Sequence, residues 1–232
     1  MSKMTFRTLR RAALFGVTAL ALTACGGLLG PSEAPPQIYA LDPAFGPVTN
    51  APATQWQLGV MSPVASDVLD TKRITLQRGQ IMDYYANASW SDQTPDLLQG
   101  LLVEAFEKSG QVKAVGRGSA GVRADLLVVT ELRDFTAHYA GDTGAPNIVV
   151  DIETKLITAT HHDVVATYDA HREAMATANS VPAVVQAFDQ ATGQALADIV
   201  SWTLNNATPN VSDALPPTTA APLHRTRRHR RH

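Results

Sequence analysis

The chain has 232 residues, a formal net charge of −2 and a single cysteine. One cysteine excludes an intramolecular disulfide framework, and the uncharged apolar run from Ala12 to Leu22 falls short of the roughly 20 residues that a helical membrane span needs. The charge is unevenly placed: between residues 37 and 206 acidic residues outnumber basic ones about two to one, whereas the last residues are strongly basic.

Lys3, Arg7, Arg10 and Arg11 precede the apolar run and small residues close it, which is the pattern of a bacterial export signal. Leu22-Thr23-Ala24-Cys25 then resembles the lipobox of bacterial lipoproteins. That resemblance implies a signal peptide over residues 1–24 and a Cys25 thiol that takes a diacylglyceryl group and becomes the mature N-terminus. Several acyl chains anchor essentially permanently, since each buried methylene contributes about 0.8 kcal/mol and one chain alone is marginal. The processed chain would then carry no free thiol, as suits an oxidising compartment. Gly26 stands where an aspartate holds many lipoproteins in the inner membrane, so the resemblance implies the periplasmic leaflet of the outer membrane. Residues 25–36, rich in Gly and Pro after the cysteine, read as a flexible tether.

Residues 37–206 are the size of one domain and show no internal repeat. "QWQLGVMS", from Gln55, predicts a strand ended by Pro63, and "KRITLQRGQIMDYYAN", from Lys72, two short strands around Arg78-Gly79. A helix should start at Thr94-Pro95, with Thr94 as cap and Asp96 at the positive end of the dipole. Leu98, Leu101, Leu102, Ala105 and Phe106 give it one apolar stripe, and Gly110 stops it. "QVKAV", from Gln111, reads as a short strand. "ADLLVVTELRDFTAHYA", from Ala124, reads as a long one whose alternation slips between Thr130 and Phe135, the sign of a bulge. "NIVVDIETKLITAT", from Asn147, places Val150, Ile152, Thr154, Leu156 and Thr158 on one face and Asp151, Glu153 and Lys155 on the other. "DVVATYDAHREAMA" returns after His161-His162 as its antiparallel partner. A last helix, capped by Asn179 or Ser180 with Pro182 in its first turn, runs through Val184, Val185, Phe188, Ala195, Leu196, Ile199 and Trp202. The sum is an α+β fold of two layers, a mainly antiparallel sheet covered on one face by two helices.

Residues 207–232 lose all periodicity and read as a disordered Pro-, Arg- and His-rich tail. Arg225, Arg227, Arg228, Arg230 and Arg231 suit an anionic lipid surface, where each basic residue contributes about 1 kcal/mol; they equally suit the acidic body of the same chain. Nucleic acid is not expected as a partner of an exported lipoprotein.

No catalytic set emerges. His161-His162-Asp163, with His138 and His171 elsewhere, lacks the spacing of a zinc site and reads as a polar turn. Gly116-Arg117-Gly118-Ser119-Ala120-Gly121 has the wrong spacing for a nucleophile elbow or a phosphate cradle and reads as a flexible loop. Asp151 and Glu153 share a face on which repulsion could raise one pKa, but with Lys155 beside them they read as a solvated surface. Neither a metal nor another cofactor is expected. Tyr84, Tyr85 and Trp90 cluster before the first helix, where aromatics commonly pack the strand-to-helix corner; an exposed group there would instead anchor a protein partner.

The order of these features resembles the ABC-type transport auxiliary lipoprotein family: Tyr39 and Leu41 after the tether, Pro63 after a strand, Ile74 and Leu76 in the next, then Tyr84 with Tyr85, and Trp90 before the helix. The resemblance implies an outer-membrane lipoprotein that docks the MCE-domain protein of an ABC transporter for phospholipid or other hydrophobic molecules, without catalysis. The basic tail is not part of that pattern. An outer-membrane assembly or lipopolysaccharide-export lipoprotein, with a β-barrel partner, is the alternative architecture. A periplasmic hydrolase or metal-binding protein built on the histidines is the third.

Overall fold

The computed structural model describes residues 35–45, 53–118, 123–141 and 143–207. Cys25 and the arginines of the tail lie outside them. The spine of the fold is three long strands, β7 (Leu126–Tyr139), β8 (Asn147–Thr158) and β9 (Val164–Met175). Alternation of buried and more exposed residues makes them, clearest in β8. In β8, Ile148, Val150, Ile152, Thr154 and Leu156 are buried while every second residue is more exposed. β7 pairs antiparallel with β8 from Leu126↔Thr158 to His138↔Asn147, and β8 with β9 from Asn147↔Met175 to Ile157↔Val164. The β7–β8 register shifts between Leu132 and Asp134, so Arg133 is the extra residue of the bulge that the slipped alternation predicts.

The other edge of β7 takes three strands in succession, all parallel to it. β2 (Gln57–Val60) pairs at Leu126–Val128, β3 (Val64–Ala65) at Glu131–Leu132, and β4 (Arg73–Arg78) at Ala137–Tyr139. β5 (Ile81–Trp90) runs antiparallel to β4 across a turn in which Gly79 has φ 58°, a conformation that glycine adopts without strain. β1 (Gln37–Tyr39) lies parallel to the end of β5, and β6 (Ala114–Arg117) parallel to β2. The sheet is therefore mixed, its longest ladders antiparallel, within the expected α+β class.

Two helices cover one face, α1 (Thr94–Ser109) and α2 (Val181–Asn206). Gly110 ends α1 at φ 63°, its N–H bonded to the Glu107 carbonyl at 3.0 Å. Thr94 is not the cap. Gln93 holds that position, and the Thr94 hydroxyl instead donates to the Thr71 carbonyl at 3.0 Å, tying the helix start to the segment before β4. Ser180 occupies the cap of α2 without a side-chain bond, and Asn179 accepts a hydrogen bond from Tyr139 instead.

Between the layers, Trp90 packs edge-on against Phe188 of α2 at 5.2 Å between centroids and against Phe135 of β7 at 6.0 Å. Phe135 and Phe188 themselves lie 4.7 Å apart. The chain beyond β1 crosses α2 closely. Asp189 Oδ1 accepts the Asp42 N–H at 2.8 Å, and a Cβ on Gly193 would stand 2.6 Å from the Ala44 carbonyl oxygen. Burial raises the Asp189 carboxyl above its ordinary pKa, and the Asp42 N–H partly offsets this.

Candidate functional site

Side chains alternate across a strand, so the residues opposite the core set of β7, β8 and β9 project from the face that, among the described residues, carries no helix. The helix side is marked by Tyr168, stacked on Trp202 of α2 at 5.5 Å, and by Arg172, paired with Asp198 of the same helix. The outer face bears Glu131, Asp134 and His138 from β7, Asp151, Glu153 and Lys155 from β8, and Asp169, His171 and Glu173 from β9.

Register brings like charges together. Glu131 stands opposite Glu153, which stands opposite Asp169, so three carboxylates form a row across three strands. The next row is Asp134, Asp151 and His171. Arg133, displaced by the bulge, spans the first row, with Nη2 2.9 Å from Glu153 and Nη1 3.4 Å from Asp169. Lys155 approaches the same Glu153 at 3.4 Å.

His171 places Nδ1 2.9 Å from Asp151 and Nε2 3.1 Å from Glu173, while His138 reaches Asp134 at 2.8 Å. The bond to Asp151, and next the bond to Glu173, hold the His171 imidazolium above its ordinary pKa. Glu173 is held below the usual carboxylate range, chiefly by the Asn147 amide 2.7 Å away and then by His171. Asp169 is pushed up, first by desolvation and next by the neighbouring Asp151.

The expected surface at Asp151 and Glu153 is thus more than a solvated face. Their side chains are only 22% and 16% exposed and sit inside a network. The raised carboxyl is Asp169, two strand positions from His171 on β9, which the pairing register sets opposite Glu153 and diagonal to Asp151. The histidines do not converge. His161 and His162 lie in the turn between β8 and β9, where His162 has φ 60° and Asp163 N–H bonds the Thr158 hydroxyl. Among the described residues no His, Cys, Asp and Glu set has the arrangement of a metal site.

Gly116 and Arg117, read from sequence as loop, form the end of β6, because pairing with Gly59 and Val60 of β2 carries the strand two residues beyond the end of the apolar pattern "QVKAV". The three candidate aromatics separate. Trp90 is 1% exposed and belongs to the core. The Tyr85 hydroxyl meets that of Tyr139 at 2.8 Å, and Tyr139 donates onward to Asn179 at 2.8 Å. Burial, then the Tyr139 bond, raises the Tyr85 pKa far above the ordinary phenol. Tyr84 lies beneath the Arg73 guanidinium, 3.9 Å from ring centre to Cζ, and donates to the Val68 carbonyl. Exposed apolar groups lie elsewhere, with Ile81 and Met82 at the β4–β5 tip, Ile38 on β1 and Met175 at the end of β9.

Known proteins share this architecture. A crystal structure of a protein from Xanthomonas campestris is 30% identical with a TM-score of 0.69, covering 73% of this chain and 95% of that one. A second crystal structure, of an uncharacterized protein, has the same fold at 15% identity and a TM-score of 0.56, covering 72% of this chain and 97% of its own. An uncharacterized protein of Bradyrhizobium diazoefficiens is 25% identical over 151 residues, which is 63% of this chain but 39% of that relative's length. The model of the ABC-type transport auxiliary lipoprotein component matches residues 39–200, from the end of β1 into the last turns of α2. This chain belongs to that family of ABC-transport auxiliary lipoproteins.

Proposed function

We propose that the protein is the lipid-anchored docking component of an ABC transporter that works with an MCE-domain protein, moving phospholipid or another hydrophobic molecule across the periplasm. The observation that carries this reading is the extent of the family match, which takes in nearly the whole sheet and both helices rather than one motif. The sequence around Cys25 supports the anchor, and Gly26 behind it supports the outer membrane over the inner. The role is non-catalytic: the protein contributes a fixed position and a binding surface, and energy comes from the transporter's own ATPase.

A genetic measurement tests this. Deleting the gene should give the same loss of envelope barrier to hydrophobic compounds as deleting the MCE-domain protein, and the double deletion should be no worse than either. An additive double defect would overturn the reading. A defect confined to β-barrel assembly would point to an outer-membrane assembly lipoprotein instead.

A further inference from the structure

We propose that the helix-free face of β7, β8 and β9 is the docking surface for the chain's own basic segment, His224 to His232. Three observations lead there. The first is the unbalanced charge of the face, where Glu131, Asp134, Asp151, Glu153, Asp169 and Glu173 are set against Arg133 and Lys155 as the permanent cations. Like charges directly opposite each other on neighbouring strands are destabilising, so the row Glu131–Glu153–Asp169 is a standing cost that further cations would relieve.

The second observation is how the resident cations are spent. Arg133 is shared between Glu153 and Asp169, Lys155 goes to Glu153 as well, and Asp151, Asp134 and Glu173 have imidazole partners. Asp151 Oδ1 is shielded from solvent and has no hydrogen-bond donor among the described residues. Desolvation first, and then its diagonal neighbour Asp151, raise the Asp169 carboxyl, and the second cause agrees with an excess of negative charge there.

The third is the complement within the chain. Residues 224–232 hold five arginines and three histidines and no acidic residue. Guanidinium groups suit paired carboxylates, which they bind through two parallel N–H bonds. Ala207 ends the described part of the chain just past α2, which packs on the opposite side of β8 and β9. From there to Arg225 an extended chain reaches up to about 60 Å, and a flexible coil about 20–25 Å on average, enough to round the edge of one sheet. An intramolecular segment at that tether length acts at an effective concentration in the roughly millimolar range, so individually weak exposed pairs suffice. The docked segment would cover the broad face of the spine that α2, among the described residues, leaves open.

The test uses the full-length lipoprotein in neutral detergent micelles, with the photo-crosslinker p-benzoylphenylalanine placed at Thr226 and the captured residues identified by mass spectrometry. The expected crosslinks fall on outer-face residues of β8 and β9, such as Thr167 and Met175. Raising salt to about 0.5 M should reduce their yield at least about five-fold, as for several exposed pairs broken together. The triple change Glu131→Lys, Asp169→Lys, Glu173→Lys should do the same, as should the five tail arginines changed to Glu. Combining face and tail reversals should restore the crosslinks, a rescue that a folding defect would not give. The tail reversal carries the test if the face variant is unstable. Crosslinks on the helix side, or a yield indifferent to both reversals, would overturn the proposal. So would a tail that captures nothing in neutral micelles and only lipid in vesicles containing phosphatidylglycerol.

Discussion

At the scale of single residues, His171 shows how register creates chemistry. Held by Asp151 and Glu173, with His138, Asp134 and Asp169 around it on the same face, its imidazole should titrate above the ordinary value near 6.5 when followed by NMR. Glu173→Gln should lower it, and a titration at the ordinary value in the unmodified protein would contradict this account. A raised folded-state pKa means that the imidazolium stabilises the fold fully below the unfolded value and ceases to do so as pH rises through the folded one. Because the side chain is half exposed, the effect on stability should be small. Trp90 is the opposite case. Its ring locks Phe135 and Phe188 together, so Trp90→Ala should cost about 3–5 kcal/mol in denaturant unfolding. Trp90→Phe should cost less, since it keeps a ring and removes a buried Nε1–H that has no partner among the described residues. The sequence made Trp90 legible as a packing residue because an aromatic sits just before a helix start. It could not show that Tyr85 would meet Tyr139, fifty-four positions away.

At the scale of elements, the legible features were those with local causes. Gly110 stops α1, Gly79 turns β4 into β5, and the slipped alternation of β7 marks a bulge, each readable from a few neighbouring residues. The parallel pairings of β2, β3 and β4 along one edge of β7 were not legible, because short strands carry no mark of their direction and crossover connections set it. The shift of β6 comes from its pairing with β2, and the Thr94 bond to Thr71 joins residues twenty-three positions apart, so neither shows in a short stretch. Gly193 was equally silent, a glycine in mid-helix whose reason is the Ala44 carbonyl laid across it. Gly193→Ala should therefore lose about 1–3 kcal/mol by overpacking against backbone, where an uncrowded helix would gain about 1 from the same change. Thermal unfolding of the variant decides between the two signs, and a raised midpoint would contradict the packing described.

At the scale of the molecule, a mixed sheet with helices on one side leaves the other face of its spine open among the described residues, and that face is charged rather than apolar. This arrangement explains why the acidic bias of residues 37–206 matters: a good part of it is concentrated on one surface of β7, β8 and β9. The family membership of the chain supports the place in transport proposed for that body, and the lipobox-like sequence around Cys25 supports the proposed attachment. The candidate functional surface was legible only in part. Asp151, Glu153 and Lys155 stood out on β8, but their partners Arg133, Asp169 and His171 are brought in by strand pairing that no short stretch of sequence displays. The most direct test of the central claim is crosslinking of the full-length lipoprotein in its native envelope, with a Cys25→Ala chain alongside, followed by identification of what is captured. An MCE-domain protein should be captured with the lipidated chain and markedly lost with Cys25→Ala. Capture of a β-barrel protein with no MCE-domain protein would contradict it.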